Sequence, residues 1–154
     1  MNIYDYATFK TEEDGRVTKC IIHINGKGVF TGYAICHEDD ADMKSELTGK
    51  HISYQRAYIK YLKYCSRCEV KPALAALKQL YYSMNKSKYY NDSSYEAKML
   101  KAQMAMKETE LDLINEEIRI AETDLDSYIK VKEEKYKLIR AWREGSETLK
   151  ARTE

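Results

Sequence analysis

From Ser94 to about Arg143 the chain has neither Gly nor Pro, and apolar side chains recur at alternating intervals of three and four. That spacing predicts one long helix carrying a single apolar seam. Its a and d positions are Ala97, Leu100, Met104, Lys107, Leu111, Ile114, Ile118, Ala121, Leu125, Tyr128, Lys132, Lys135, Ile139 and Trp142. A helix of roughly 50 residues is about 75 Å long, more than a small domain can cover. The seam therefore predicts association through Leu100, Met104, Leu111, Ile114, Ile118, Leu125, Tyr128, Ile139 and Trp142, as a homodimer or with another protein. Lys107, Lys132 and Lys135 weaken a dry parallel dimer, so one end of the helix is expected on its own domain or against acidic residues of a partner.

Shorter patterns precede the seam. Thr18 to Ile24 and Val29 to Cys36 are rich in β-formers and flank Asn25-Gly26-Lys27-Gly28, a hairpin signature. Ile3 to Lys10, closed by the turn-like Glu12-Glu13-Asp14-Gly15, adds a third strand or a lead-in. Gly49 is expected to precede a helix over about 52–66, and Pro72 to open another over about 71–89. Asn91-Asp92 marks a break, Ser93 with Glu96 fits a capping box for the long helix, and Gly145-Ser146 ends or interrupts it. The resulting fold class is α+β: a small antiparallel sheet, hairpin or three strands, packed with two helices and followed by one long coiled-coil-like C-terminal helix. The expected division is 1–91 for the α+β domain and 92–154 for the helical extension.

Charge changes this picture. The 154 residues carry a net +1, yet residues 51–90 hold eight Lys or Arg against one acidic residue, a local +7, with eight of the fourteen tyrosines. Arg56, Lys60, Lys63, Arg67 and Lys71 share one face if the helix persists, with Tyr54, Tyr58, Tyr61 and Cys65 beside them. Such a row suits phosphates or an acidic partner; the plainer reading is a solvated face whose tyrosines lean on the core. Glu38, Asp39, Asp40 and Asp42 could imitate phosphates in a nucleic-acid-binding cleft of another protein, or simply form a solvated loop.

Four cysteines and a start without signal-peptide features lead to the expectation of a soluble intracellular protein with reduced thiols. No apolar run approaches a membrane span. Cys65-x-x-Cys68 has the knuckle spacing of half a zinc site and Cys36-His37 could supply the rest, but that pair is adjacent rather than spaced, small buried cysteines are the favoured explanation, and no metal or other cofactor is expected. His23, His37 and His51 lie in no nucleophile motif, so the chain is not expected to be an enzyme.

At Phe30-Thr31-Gly32-Tyr33-Ala34-Ile35-Cys36-His37-Glu38-Asp39-Asp40, followed by Gly49 and Arg56-Ala57, the chain resembles a family of small bacteriophage and prophage proteins. These share a hairpin ending in G-x-A-x-C-H-x-x-D, then a glycine and a helix containing R-A. The resemblance implies a non-catalytic phage protein in the bacterial cytoplasm that binds a host protein, inhibiting a nucleic-acid enzyme or a defence nuclease in the anti-CRISPR manner by occlusion or forced dimerisation. The alternative is a nucleic-acid-binding accessory protein using the basic, Tyr-rich helix. The strand order of residues 2–67 is also similar to that of double-stranded RNA-binding domains, but their opening helix is missing and His51-Ile52-Ser53 replaces their basic cluster.

Overall fold

The computed structural model describes residues 1–37, 45–86 and 94–153. Strands β1 (Ala7–Glu12), β2 (Val17–Ile24) and β3 (Gly28–Ile35) form an antiparallel sheet in the order β1-β2-β3, so the lead-in does supply a third strand. A short 3-10 turn, Ile3–Tyr6, precedes them. Register sets Phe9 opposite Cys20, and Cys20 opposite Gly32. On β2 every second residue, Thr18, Cys20, Ile22 and Ile24, is buried, the period of two that sends alternate side chains to one face. The two turns use left-handed backbone: Gly26 at φ 80° in one, and Glu13, Asp14 and Gly15 at φ 52°, 57° and 81° in the other.

Helix α1 runs over Glu46–Tyr64 and lies on the buried face of the sheet. Its start is six residues earlier than the pattern suggested. Ser45 caps it, accepting the Thr48 N–H at Oγ (3.3 Å), and Gly49 sits inside the helix rather than before it. The reason is proximity: a Cβ on Gly49 would strike the Thr18 hydroxyl, and one on Gly32 would strike the Ser53 carbonyl and come within 2.5 Å of the Ala57 nitrogen. Two glycines thus let helix and sheet backbones approach more closely than side chains permit. Ser53 and Ala57, both fully buried, fill the contact, and the Ser53 hydroxyl donates to the Lys50 carbonyl (3.2 Å).

The interruption expected between the first two helical segments, 52–66 and 71–89, is absent, while the break expected at Asn91-Asp92 lies outside the described residues. A π turn, Cys65–Val70, joins α1 directly to α2 (Lys71–Asn85), with helical backbone at both junctions. Pro72 has no N–H and its ring crowds the carbonyl four residues back. The wider turn just before it, in which the Lys71 N–H donates to Ser66, absorbs that misfit without a stop.

Helix α3 spans Tyr95–Thr153 and passes through Gly145, which therefore does not end it. The expected cap residue Ser93 lies outside the described residues; Ser94 makes the cap, its Oγ accepting the Ala97 N–H (3.2 Å). No helix among the described residues is long and apolar enough to cross a membrane. The chain divides into two compact units: Met1–Tyr58 with Ala121–Glu154, and Ile59–Ile120. That division differs from 1–91 and 92–154, because α1 and α3 each contribute one part to either unit. In the second unit, contacts of Ser66 with Asn115, Lys78 with Glu108 and Tyr81 with Lys101 run in opposite chain directions, so its two helical segments are antiparallel.

Gly32→Ala is expected to lower the free energy of unfolding by about 2 kcal/mol or more, because backbone atoms occupy the added methyl's place. Gly145→Ala, where that space is open, is expected to raise it by about 1 kcal/mol. Urea denaturation of both variants beside the parent checks the pair.

Candidate functional site

A cleft of about 280 Å³ lies within the first unit, where the end of β3, the start of α1 and the Ala121–Glu154 part of α3 meet. Three cations reach it from three elements. Arg16, from the β1–β2 turn, is held by an ion pair with Glu13 (3.0 Å), and its carbonyl accepts the Cys36 N–H (2.8 Å). Arg56, on α1, donates from Nη1 to the Tyr33 carbonyl (2.7 Å). Lys132, on α3, stands 5.3 Å from the centre of the Tyr128 ring. Thr18, Thr48 and Ser45 add hydroxyls, Ile35, Ile52 and Ile129 add apolar wall, and Glu133 is the one carboxylate among the described lining residues.

Sequence reading had Arg56 in a phosphate row, Cys36 and His37 in a metal set, and Lys132 in a seam. The fold brings all four to this cleft instead, with Ala34 and Gly49 of the hairpin motif. The pattern gives no sign of Arg16, Thr18, Thr48, Glu133 and Tyr136; they come from three separate segments, with no shared spacing to reveal them.

The zinc candidates are not assembled: among the described residues no group of three or more His, Cys, Asp or Glu is placed to hold a metal. Cys65 is buried and Cys68 exposed. Cys20 is fully buried, and burial pushes its thiol up to about 11 from an ordinary 9.0. Burial, then the neighbouring Cys20 and Tyr4, raises the Tyr54 phenol. Tyr54 meets Tyr4 edge-on at 5.0 Å and stacks on Tyr58 at 5.8 Å.

In the second unit Lys60, Arg67 and Lys71 are exposed and Lys63 half-buried, while Tyr61 and Cys65 are buried. The tyrosines lean on the core, and the cations face water. A π turn holds more than the 3.6 residues of an α-turn, so steps of four drift less around it and Lys63, Arg67 and Lys71 stay aligned. The acidic candidates Glu38, Asp39, Asp40 and Asp42 lie outside the described residues.

The heptad seam of α3 is found where the pattern put it, and a large part of it turns inward. Ala97, Leu100 and Leu125 are buried; Met104, Lys107, Leu111, Ile114, Ile118, Tyr128, Lys132 and Ile139 are half-buried; Lys135 and Trp142 are exposed. Tyr128 packs on His51 at 4.2 Å within the first unit. The chain's own helices thus cover residues for which an outside partner was expected. A second stripe escaped notice: Met99, Met106, Leu113 and Ile120 recur every seven residues and are 43%, 72%, 67% and 45% exposed. Their interval was readable in the sequence, but the stronger inner seam masked it.

Thiol reagents are expected to label Cys68 first and Cys36 more slowly, leaving Cys20 and Cys65 until the protein unfolds; counting modified thiols by mass spectrometry with and without urea checks this. Because the Cys20 pKa is raised on folding, its contribution to stability is complete below pH 9.0 and is lost as pH climbs towards about 11. No protein family, curated protein or solved structure matches the chain.

Proposed function

We propose that the protein is a non-catalytic binding module that pairs with a second copy of itself along the outer stripe of α3. The observation that carries this reading is the exposure of Met99, Met106, Leu113 and Ile120 at heptad spacing, on the same helix whose inner seam is largely covered by its own chain. Large apolar residues repeated along one helical stripe mark an interface, each gaining about 1.5–3 kcal/mol when removed from water. Symmetry supports a second copy as the occupant: an isologous pairing sets the stripe against its own copy, so its apolar side chains meet apolar partners. Glu110 and Glu117 flank the stripe one turn beyond Met106 and Leu113, and Glu110 pairs with Lys107 of its own helix (2.9 Å).

The target belongs to the same proposal. The hairpin's resemblance to phage proteins supports a host nucleic-acid enzyme or defence nuclease in the bacterial cytoplasm, blocked by occlusion or held as a dimer. A second reading, nucleic-acid binding, rests on the exposed cations Lys60, Arg67 and Lys71. It lacks a stacking platform in α1, because Tyr61 is buried and Tyr54 and Tyr58 are engaged with each other.

Light scattering on a sizing column is expected to return twice the chain mass for the parent and the single mass for Met106→Asp with Leu113→Asp, at unchanged helical circular dichroism. Leu111→Asp, on the inner seam, is expected instead to lower the melting temperature. A monomeric parent would sink the dimer. A tagged pull-down with and without nuclease tests the target: a discrete protein retained after nuclease supports inhibition, whereas nucleic acid alone, lost at higher salt, supports the second reading.

A further inference from the structure

We infer that the cleft of the first unit binds a phosphate monoester, the phosphate among its cations and a compact hydroxyl- or amino-bearing body along its isoleucines. The charge argument is the first. Arg16, Arg56 and Lys132 converge on the cleft from a turn, α1 and α3, and among the described lining residues Glu133 is the one carboxylate. Two of them are pre-oriented: Glu13 holds Arg16, and the Tyr33 carbonyl takes one of the five N–H donors of Arg56. Guanidinium groups held in place lose little freedom on meeting a dianion, and their paired donors match phosphate oxygens.

The second argument concerns the floor. Thr18 and Thr48 are 4% and 8% exposed, line the cleft, and have no hydrogen-bond partner for their hydroxyls among the described residues. Buried hydroxyls are ordinarily bonded, and phosphate oxygens can accept from both. The remaining wall selects the rest of the ligand. Ile35, Ile52 and Ile129 suit an apolar or ring surface, and Glu133 can accept from a hydroxyl or amine while repelling a second phosphate. A cleft of about 280 Å³ accommodates a body of nucleoside size and excludes a duplex.

The site is independent of the dimer stripe, so its test can be read whatever the oligomeric state. Isothermal titration with adenosine monophosphate and with inorganic phosphate is run on the parent, Lys132→Gln, Glu133→Gln, and Arg67→Gln with Lys71→Gln. The nucleotide is expected to bind one per chain and more tightly than inorganic phosphate. Lys132→Gln should weaken both by about tenfold, the loss of one charge-assisted contact. Glu133→Gln should tighten inorganic phosphate, and the Arg67, Lys71 variant should match the parent. No heat with either ligand, equal affinity for both, or binding lost in the Arg67, Lys71 variant while Lys132→Gln retains it, would overturn the assignment. Circular dichroism of Lys132→Gln, with the melting temperature, confirms that any loss is not unfolding.

Discussion

The close approach of α1 to the sheet is the constraint on which the first unit depends. Gly32 on β3 and Gly49 on α1 leave no room for a β-carbon at the crossing: Gly32 lies against the backbone of Ser53 and Ala57, and Gly49 against the Thr18 side chain. Because of it, Ser53 and Ala57 can be small and still fully buried, and Cys20 and Ile22 are shut off from water beneath them. The same crossing sets Arg56 beside the Tyr33 carbonyl and brings Thr18 next to the first turns of α1. A cleft therefore opens where helix and sheet diverge, lined by residues whose positions follow from two missing methyl groups.

The local excess of positive charge has a comparably simple origin. Residues 51–90 combine many cations with many tyrosines, and folding separates them by face. Tyr61 goes inward, Tyr54 and Tyr58 cover each other, and Lys60, Arg67 and Lys71 stay in water. Desolvating an aromatic ring is favourable and desolvating an ammonium is not, so the segregation needs no ligand to explain it. What this sorting leaves over is the outer stripe of α3 and the cleft.

Much of the fold was legible in the chain. The period of two on β2 and β3, the Asn25-Gly26 turn and the heptads of α3 each report one local regularity, and each corresponds to a real element. The misreadings share a cause. Gly49 reads as a residue before its helix and Gly145 as the end or interruption of another, yet Gly49 serves a contact with Thr18 inside α1 and Gly145 sits in open space within α3, whereas Pro72 does open α2 in its first turn. Propensity describes a residue in isolation, and at Gly49 tertiary context overrides it. Periodicity likewise identified the inner seam but not its cover, since a pattern of faces carries no information about what lies against them. The cleft was illegible because its side chains arrive from a turn, a strand end and two helices.

The π turn at Cys65–Val70 ties the architecture to residue count as well as residue identity. A π turn is in effect one residue inserted into an α-helix, and each residue of an α-helix advances the chain by about 100°. Deleting a single residue there would let the segment relax to ordinary α geometry and swing all of α2 by that angle. Leu74, now buried, would turn towards water, and the line of Lys63, Arg67 and Lys71 would be broken without any of them being changed. Length variation should thus be tolerated at the hairpin turns and penalised in this one stretch of continuous helix.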